Sequence, residues 1–120
     1  MYSPRLLEHF EHPRNAGVVP EAQASVQLEN PGCGDVLKLT ATFTDGIISE
    51  IRFKAQGWVP AIACGSAVTG LARGKTLAEA SALTREDIVR EVGGVPAASS
   101  HAAQLANDAL GVLLASVRKS

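Results

Sequence analysis

The chain has 120 residues, 46% of them apolar and 19% charged, with a formal net charge of -1 at pH 7. That length supports one hydrophobic core, so a single domain over residues 1–120 is expected, and the composition excludes a disordered chain. With 11 basic against 12 acidic residues and only 4% aromatics, there is no basic block for nucleic acid or anionic lipid and no stacking platform for bases.

Ser3-Pro4 reads as a helix start, Ser as N-cap and Pro in the first helical position. Leu6, Leu7 and Phe10 give it an apolar stripe, and Pro13 stops it. His9 and His12 lie on or just past this helix, with no Cys or carboxylate at ligand spacing. Residues 23–29 alternate weakly and read as a strand. Residues 36–44 alternate clearly, Leu37, Leu39, Ala41 and Phe43 against Lys38, Thr40, Thr42 and Thr44. Asp45-Gly46 is a two-residue hairpin signal. The return strand alternates as Ile47, Ser49, Ile51, Phe53 and Ala55 against Ile48, Glu50, Arg52, Lys54 and Gln56. A sheet with one wet and one dry face follows, and three strands need helices to cover the dry one.

Gly57 ends the sheet, and Pro60 opens a helix to about Arg73. Thr76-Leu77-Ala78-Glu79 and Thr84-Arg85-Glu86-Asp87 are capping-box patterns that start two short helices. The last helix is capped by Ser99 or Ser100 and runs to about Val117. Leu105, Ala109, Leu110, Val112, Leu113 and Leu114 cover most of its circumference, so it is expected to be largely buried. Arg118 and Lys119 complement its C-terminal dipole. The fold class is α+β: a three-stranded antiparallel sheet, an N-terminal helix and four C-terminal helices packed on one face.

No apolar run approaches membrane-span length and no signal-peptide core is present, so a reducing cytoplasm is expected. Cys33 and Cys64 are then metal ligands, nucleophiles or core residues rather than a disulfide. Cys33 sits in the turn Asn30-Pro31-Gly32-Cys33-Gly34-Asp35. Cys33 and Asp35 are separated by one residue, so in an extended segment they point the same way. A soft sulfur and a hard oxygen together suit iron or zinc; the plain alternative is a turn with a small buried cysteine. An antiparallel hairpin returns the chain to its origin, so Gly57-Trp58-Val59-Pro60 belongs near that turn. The third candidate position is Ser100-His101-Ala102, at the start of the last helix.

The sequence resembles the iron–sulfur cluster assembly scaffolds of the IscU type and the N-terminal domain of the NifU type. The resemblance runs through Tyr2-Ser3, His9-Phe10, Pro13-Arg14-Asn15 and Gly17, then Gly32-Cys33-Gly34-Asp35. It continues through Arg52-Phe53-Lys54, Gly57, Val68-Thr69, Gly74-Lys75 and Leu77, and ends on His101, Leu105, Ala106, Asp108 and Ala109. It implies a scaffold rather than an enzyme. Such a protein holds iron, a transient [2Fe–2S] cluster or zinc with cysteines, an aspartate and a histidine. It takes sulfur from a cysteine desulfurase and passes its cluster to recipient apoproteins.

The chain departs from that pattern at two of three cysteines: Trp58 stands where the second belongs and Ala102 where the third belongs. Cys33, Asp35 and His101 remain as metal-site candidates. Cys64-Gly65-Ser66-Ala67 resembles the second ligand's surroundings but comes six residues late. Gly74-Lys75 keeps its family distance from Phe53-Lys54, which favours an ungapped register with Cys64 as a small buried residue. In a shifted register Cys64 joins the site; a second protomer is another way to complete the shell. Trp58 caps the site, docks on a partner or joins the core. The family's proline-rich chaperone loop reads Gly94-Val95-Pro96-Ala97 here, a poor match for chaperone binding. Two other functions compete: a cluster-deficient paralogue acting as a protein-interaction module, and an enzyme with Cys33 as nucleophile and His101 as base. The last is disfavoured because Asp35 would raise the thiol pKa.

Overall fold

The computed structural model describes residues 2–32 and 34–118, Arg118 in its backbone only. The elements are α1 (Pro4–Glu11), β1 (Ala24–Glu29), β2 (Val36–Thr44), β3 (Ile47–Gln56), α2 (Val59–Ala72), α3 (Leu77–Ser81), α4 (Arg85–Glu91) and α5 (Ser100–Arg118). The strands form one antiparallel sheet in the order β1-β2-β3. Helices pack on the face that carries Leu37, Leu39 and Ala41, giving the α+β class and the one-plus-four helix count expected. Lys119 lies outside the described residues.

Local chemistry explains most of the boundaries. The Ser3 hydroxyl accepts from the Leu6 N–H at 3.0 Å and Pro4 follows it. Thr76 with Glu79 and Thr84 with Asp87 close both capping boxes reciprocally. Asp45 and Gly46 both take positive φ, +53° and +77°, as a turn twisted to match its strands requires. At the start of α5, a 3-10 turn, Ala97–Ser99, runs straight into the helix.

The return strand departs from its sequence pattern. Thr42 pairs with Glu50 and Phe43 with Ile48, so Ser49 is an extra residue in a bulge. One extra residue inverts the alternation beyond it. Ile48 is therefore fully buried while Ile47 is 39% exposed; the expectation that Ile47 shares the face of Ile51 and Phe53 is corrected. The Ser49 hydroxyl donates to the Thr42 carbonyl at 3.1 Å, within the bulge. The outer edge of β3 is covered at two points: Gly17 N–H donates to the Phe53 carbonyl at 2.8 Å, and Ile48 N–H to the Lys75 carbonyl at 2.9 Å. Both contacts use edge groups that would otherwise be open to another chain.

Helix α2 is the centre of the packing and is built of small residues. A Cβ on Gly65 would lie 2.5 Å from the Phe53 ring, so only glycine allows this approach. Its polar positions hold the N-terminal segment. The Ser66 hydroxyl accepts from the Arg14 N–H at 2.8 Å and lies 2.8 Å from His9 Nδ1. His9 Nε2 is 3.2 Å from a Glu91 carboxylate oxygen. A carboxylate only accepts, so Nε2–H donates to it; in the neutral ring Nδ1 then accepts from Ser66. Serine, histidine and glutamate in a row resemble a catalytic arrangement, but Ser66 is fully buried and no substrate reaches it. The row instead ties α1, α2 and α4 together, and His9 is a structural residue.

Helix α5 buries Ala102, Ala103, Leu105, Ala106, Ala109, Leu110, Leu113 and Leu114. Val112 is 47% exposed, correcting its expected burial: it follows Gln104 and Asp108 along one stripe at four-residue spacing. No helix among the described residues is long and apolar enough to cross a membrane.

Cys64 lies on α2 with no exposed surface, within the core cluster. Burial pushes its thiol up from 9.0 to about 12, because a thiolate there would be desolvated without a partner. A raised thiol pKa leaves stability intact below the unfolded value and lowers it as pH rises from 9.0 towards 12. In a Cys33→Ser chain, Ellman's reagent at pH 8 should therefore find no reactive thiol in the native protein and one in guanidinium; rapid native labelling would show that Cys64 is accessible. The bulge has its own test. Ile48→Ala should cost about 2–4 kcal/mol in urea unfolding and Ile47→Ala less than about 1 kcal/mol; equal costs would mean the strand alternates without interruption.

Candidate functional site

The turn ahead of β2 closes on itself. Gly34 N–H donates to the Asn30 carbonyl at 2.7 Å, Asn30 N–H to the Asp35 carbonyl at 2.8 Å, and Gly32 N–H to the Asn30 side chain at 3.0 Å. Gly34 takes φ +77°, a left-handed conformation natural to glycine. Cys33, the thiol of this turn, lies outside the described residues.

Asp35 leaves the turn with its side chain folded inward, 1% exposed. The end of β3 returns beside it, as the hairpin topology requires. Gly57 takes φ +149°, and a Cβ there would collide with Asp35 Oδ1. Its hydrogen is what lets the backbone lie on the carboxylate. Trp58 then stands at the N-cap of α2 and is 73% exposed, so the core alternative for this ring does not hold.

His101 comes in from the first turn of α5. Its Nε2 is 3.6 Å from Asp35 Oδ2, and the imidazole is 40% exposed against 2% for the carboxylate. Asp35 and His101 share a pocket of about 280 Å³ with Tyr2, Trp58, Pro60, Ala98 and Ser99. His101 also borders a wider groove of about 490 Å³ that runs past Asn30, Arg85 and Asp108. Asp35 Oδ1 is buried and, among the described residues, has no hydrogen-bond partner. An acceptor in that state costs about 1–3 kcal/mol.

Three of the residues singled out from the sequence thus meet: Asp35, His101 and Trp58. Ala102, at the third cysteine's position, is buried. Cys64 stands apart in the core; from position 58 it is about 9 Å along the helix at 1.5 Å per residue. Among the described residues, no three of His, Cys, Asp and Glu converge as a metal site. Tyr2, Ala98 and Ser99 line the pocket without having been singled out for the site. The signal for Tyr2 was its place in the Tyr2-Ser3 match at the start of the resemblance.

The chain matches the NifU-like N terminal domain family over residues 1–119. It is similar to the iron-sulfur cluster assembly scaffold protein IscU of Escherichia coli K12, 39% identical over 118 residues, covering 95% of this chain and 91% of that protein. It is also 38% identical over 110 residues to IscU 1 of Archaeoglobus fulgidus, covering 92% of this chain and 72% of that one. Among solved structures, the fold is shared with a NifU-like N-terminal protein from Brucella abortus. The TM-score is 0.79 at 16% identity, over 98% of this chain and 94% of that one. A putative scaffold for the SUF system from Fervidobacterium islandicum gives 0.77 at 17%, over 94% and 96%. Family match, relatives and fold agree: the chain belongs to the NifU/IscU family of iron–sulfur cluster assembly scaffold proteins, a family of scaffolds and not of enzymes.

Proposed function

We propose that this chain is a scaffold-like protein of iron–sulfur metabolism that carries a single iron or zinc ion at a site built around Cys33, with Asp35 and His101. The observation that supports this most is Oδ1 of Asp35, buried and without a hydrogen-bond partner among the described residues, in a carboxylate whose other oxygen faces an imidazole. A cation offsets the cost of burying that charge. The donor set matches such an ion: sulfur from Cys33, oxygen from Asp35 and nitrogen from His101 suit zinc or ferrous iron. Three protein ligands leave one position open, through which cargo can enter and leave.

A cluster makes a different demand. Its irons are usually held by four thiolates, and one chain offers only Cys33 once Cys64 is set in the core. With Asp35 and His101 counted beside Cys33, a [2Fe–2S] cluster still lacks a fourth ligand, to come from another copy or a partner. A cysteine desulfurase and recipient apoproteins are the partners in keeping with the family, in the cytoplasm, with no role for nucleic acid or membrane. The exposure of Trp58 at the rim supports a second reading: a paralogue without cluster, docking through that ring as an interaction module.

Calorimetric titration of the full-length, metal-free chain with zinc and, anaerobically, with ferrous iron separates the two. One ion per chain is expected, weakened at least about tenfold by Cys33→Ser and by His101→Ala, as loss of a metal ligand or its support does. No ion binding by the unmodified chain, or unchanged binding in Cys33→Ser, would leave the interaction module as the surviving interpretation.

A further inference from the structure

The open face of the sheet carries a feature that the ion site does not use. Gln27, Lys38 and Lys54 form one row across the three strands, with Lys38 directly opposite Lys54. Cβ atoms in such cross-strand pairs are about 4.5–5.5 Å apart, and like charges there repel. Neither lysine forms an ion pair among the described residues. Of the acids nearby, Glu50 is engaged by Arg52 and Arg73, and Glu29 lies on the same face, diagonal to Lys38 in the next row, without pairing with it. A chain of net charge -1 therefore gathers two uncompensated ammonium groups in one place.

The same place is concave. A notch of about 340 Å³ is lined by Lys38, Lys54, Gln27, Gln56, Val36 and Val18, with the Ala55 segment at its side. Its wall at Val18 comes from the segment before β1, which is held to the sheet by Val19 N–H donating to the Thr40 hydroxyl at 2.9 Å. Val18 is exposed and Val36 half-buried, so apolar surface lies beside the charges. The two lysines and the two carboxamides all donate readily to an inorganic oxyanion, but such an ion makes no use of the apolar surface. A peptide with carboxylates and aliphatic side chains uses both.

We propose that this notch is a docking surface for an acidic, partly apolar segment of a partner protein, its carboxylates received by Lys38 and Lys54. The proposal is independent of what the Cys33 site holds. Complementary charge of this kind steers association and is sensitive to salt. It also gives the facing lysines a function that offsets their mutual repulsion.

The test uses the full chain, labelled with nitrogen-15, and a short peptide alternating glutamate and leucine. Amide shifts are expected at Gln27, Lys38, Lys54 and Gln56, and affinity should fall at least about tenfold in Lys38→Gln/Lys54→Gln. The glutamine–leucine version of the peptide should leave those amides unmoved. Both lysines lie on the open face, so the double variant should melt no lower than the parent, which separates lost binding from lost fold. Shifts elsewhere on the surface, or equal affinity in the double variant, would overturn the proposal. Inorganic phosphate moving the same amides as strongly as the peptide would overturn it in favour of a small-oxyanion site.

Discussion

The contact between Gly65 and the Phe53 ring sets how closely α2 can lie on the sheet, and the rest of the molecule follows from that distance. A helix so close must be made of small residues, and Ala61, Ala63, Ala67 and Ala72 are all buried around it. Its larger side chains, Val68 above all, join the core, and both α1 and α5 pack on the helix. Close fitting and a few satisfied polar groups add to the buried apolar bulk. Ser66, Thr69 and His9 are those groups, and they fix the N-terminal segment to a helix far along the chain.

The position of α2 also places the site. Because only Gly57 and Trp58 separate the sheet from the helix, Gly57 is held between strand and helix, with the Asp35 carboxylate where its Cβ would be. The Gly57 backbone covers one carboxylate oxygen, and the His101 ring faces the other. His101 is brought to it by α5, which packs on α2 and the sheet through a stripe of alanines and leucines. The acid and the imidazole thus meet from two elements separated by most of the sequence. Asp35 is held by the closing of its turn through Asn30 and by Gly57, and His101 by the packing of α5.

The resemblance leads one to expect cysteines at positions 58 and 102, where this chain has an exposed tryptophan and a buried alanine. An exposed ring at the N-cap of α2 and a methyl smaller than a thiol are both compatible with the fold. The fold is therefore retained while the supply of soft ligands falls. That is the physical reason for expecting an ion rather than a cluster on a single copy.

Fold class, the hairpin at Asp45-Gly46, both capping boxes and the Ser3-Pro4 helix start were legible in the residues themselves, because each rests on interactions within a few positions along the chain. The proximity of the first turn to Gly57 was legible too, since matched strand lengths dictate it. Three things belonged to tertiary structure. The bulge at Ser49 inverts a strand pattern that looks regular on paper, because registry is a property of two strands and not of one. The exposure of Val112 depends on which neighbours α5 meets, and an apolar residue does not announce its side of a helix. The facing of Lys38 and Lys54 exists only across a ladder, so no window of the sequence shows it.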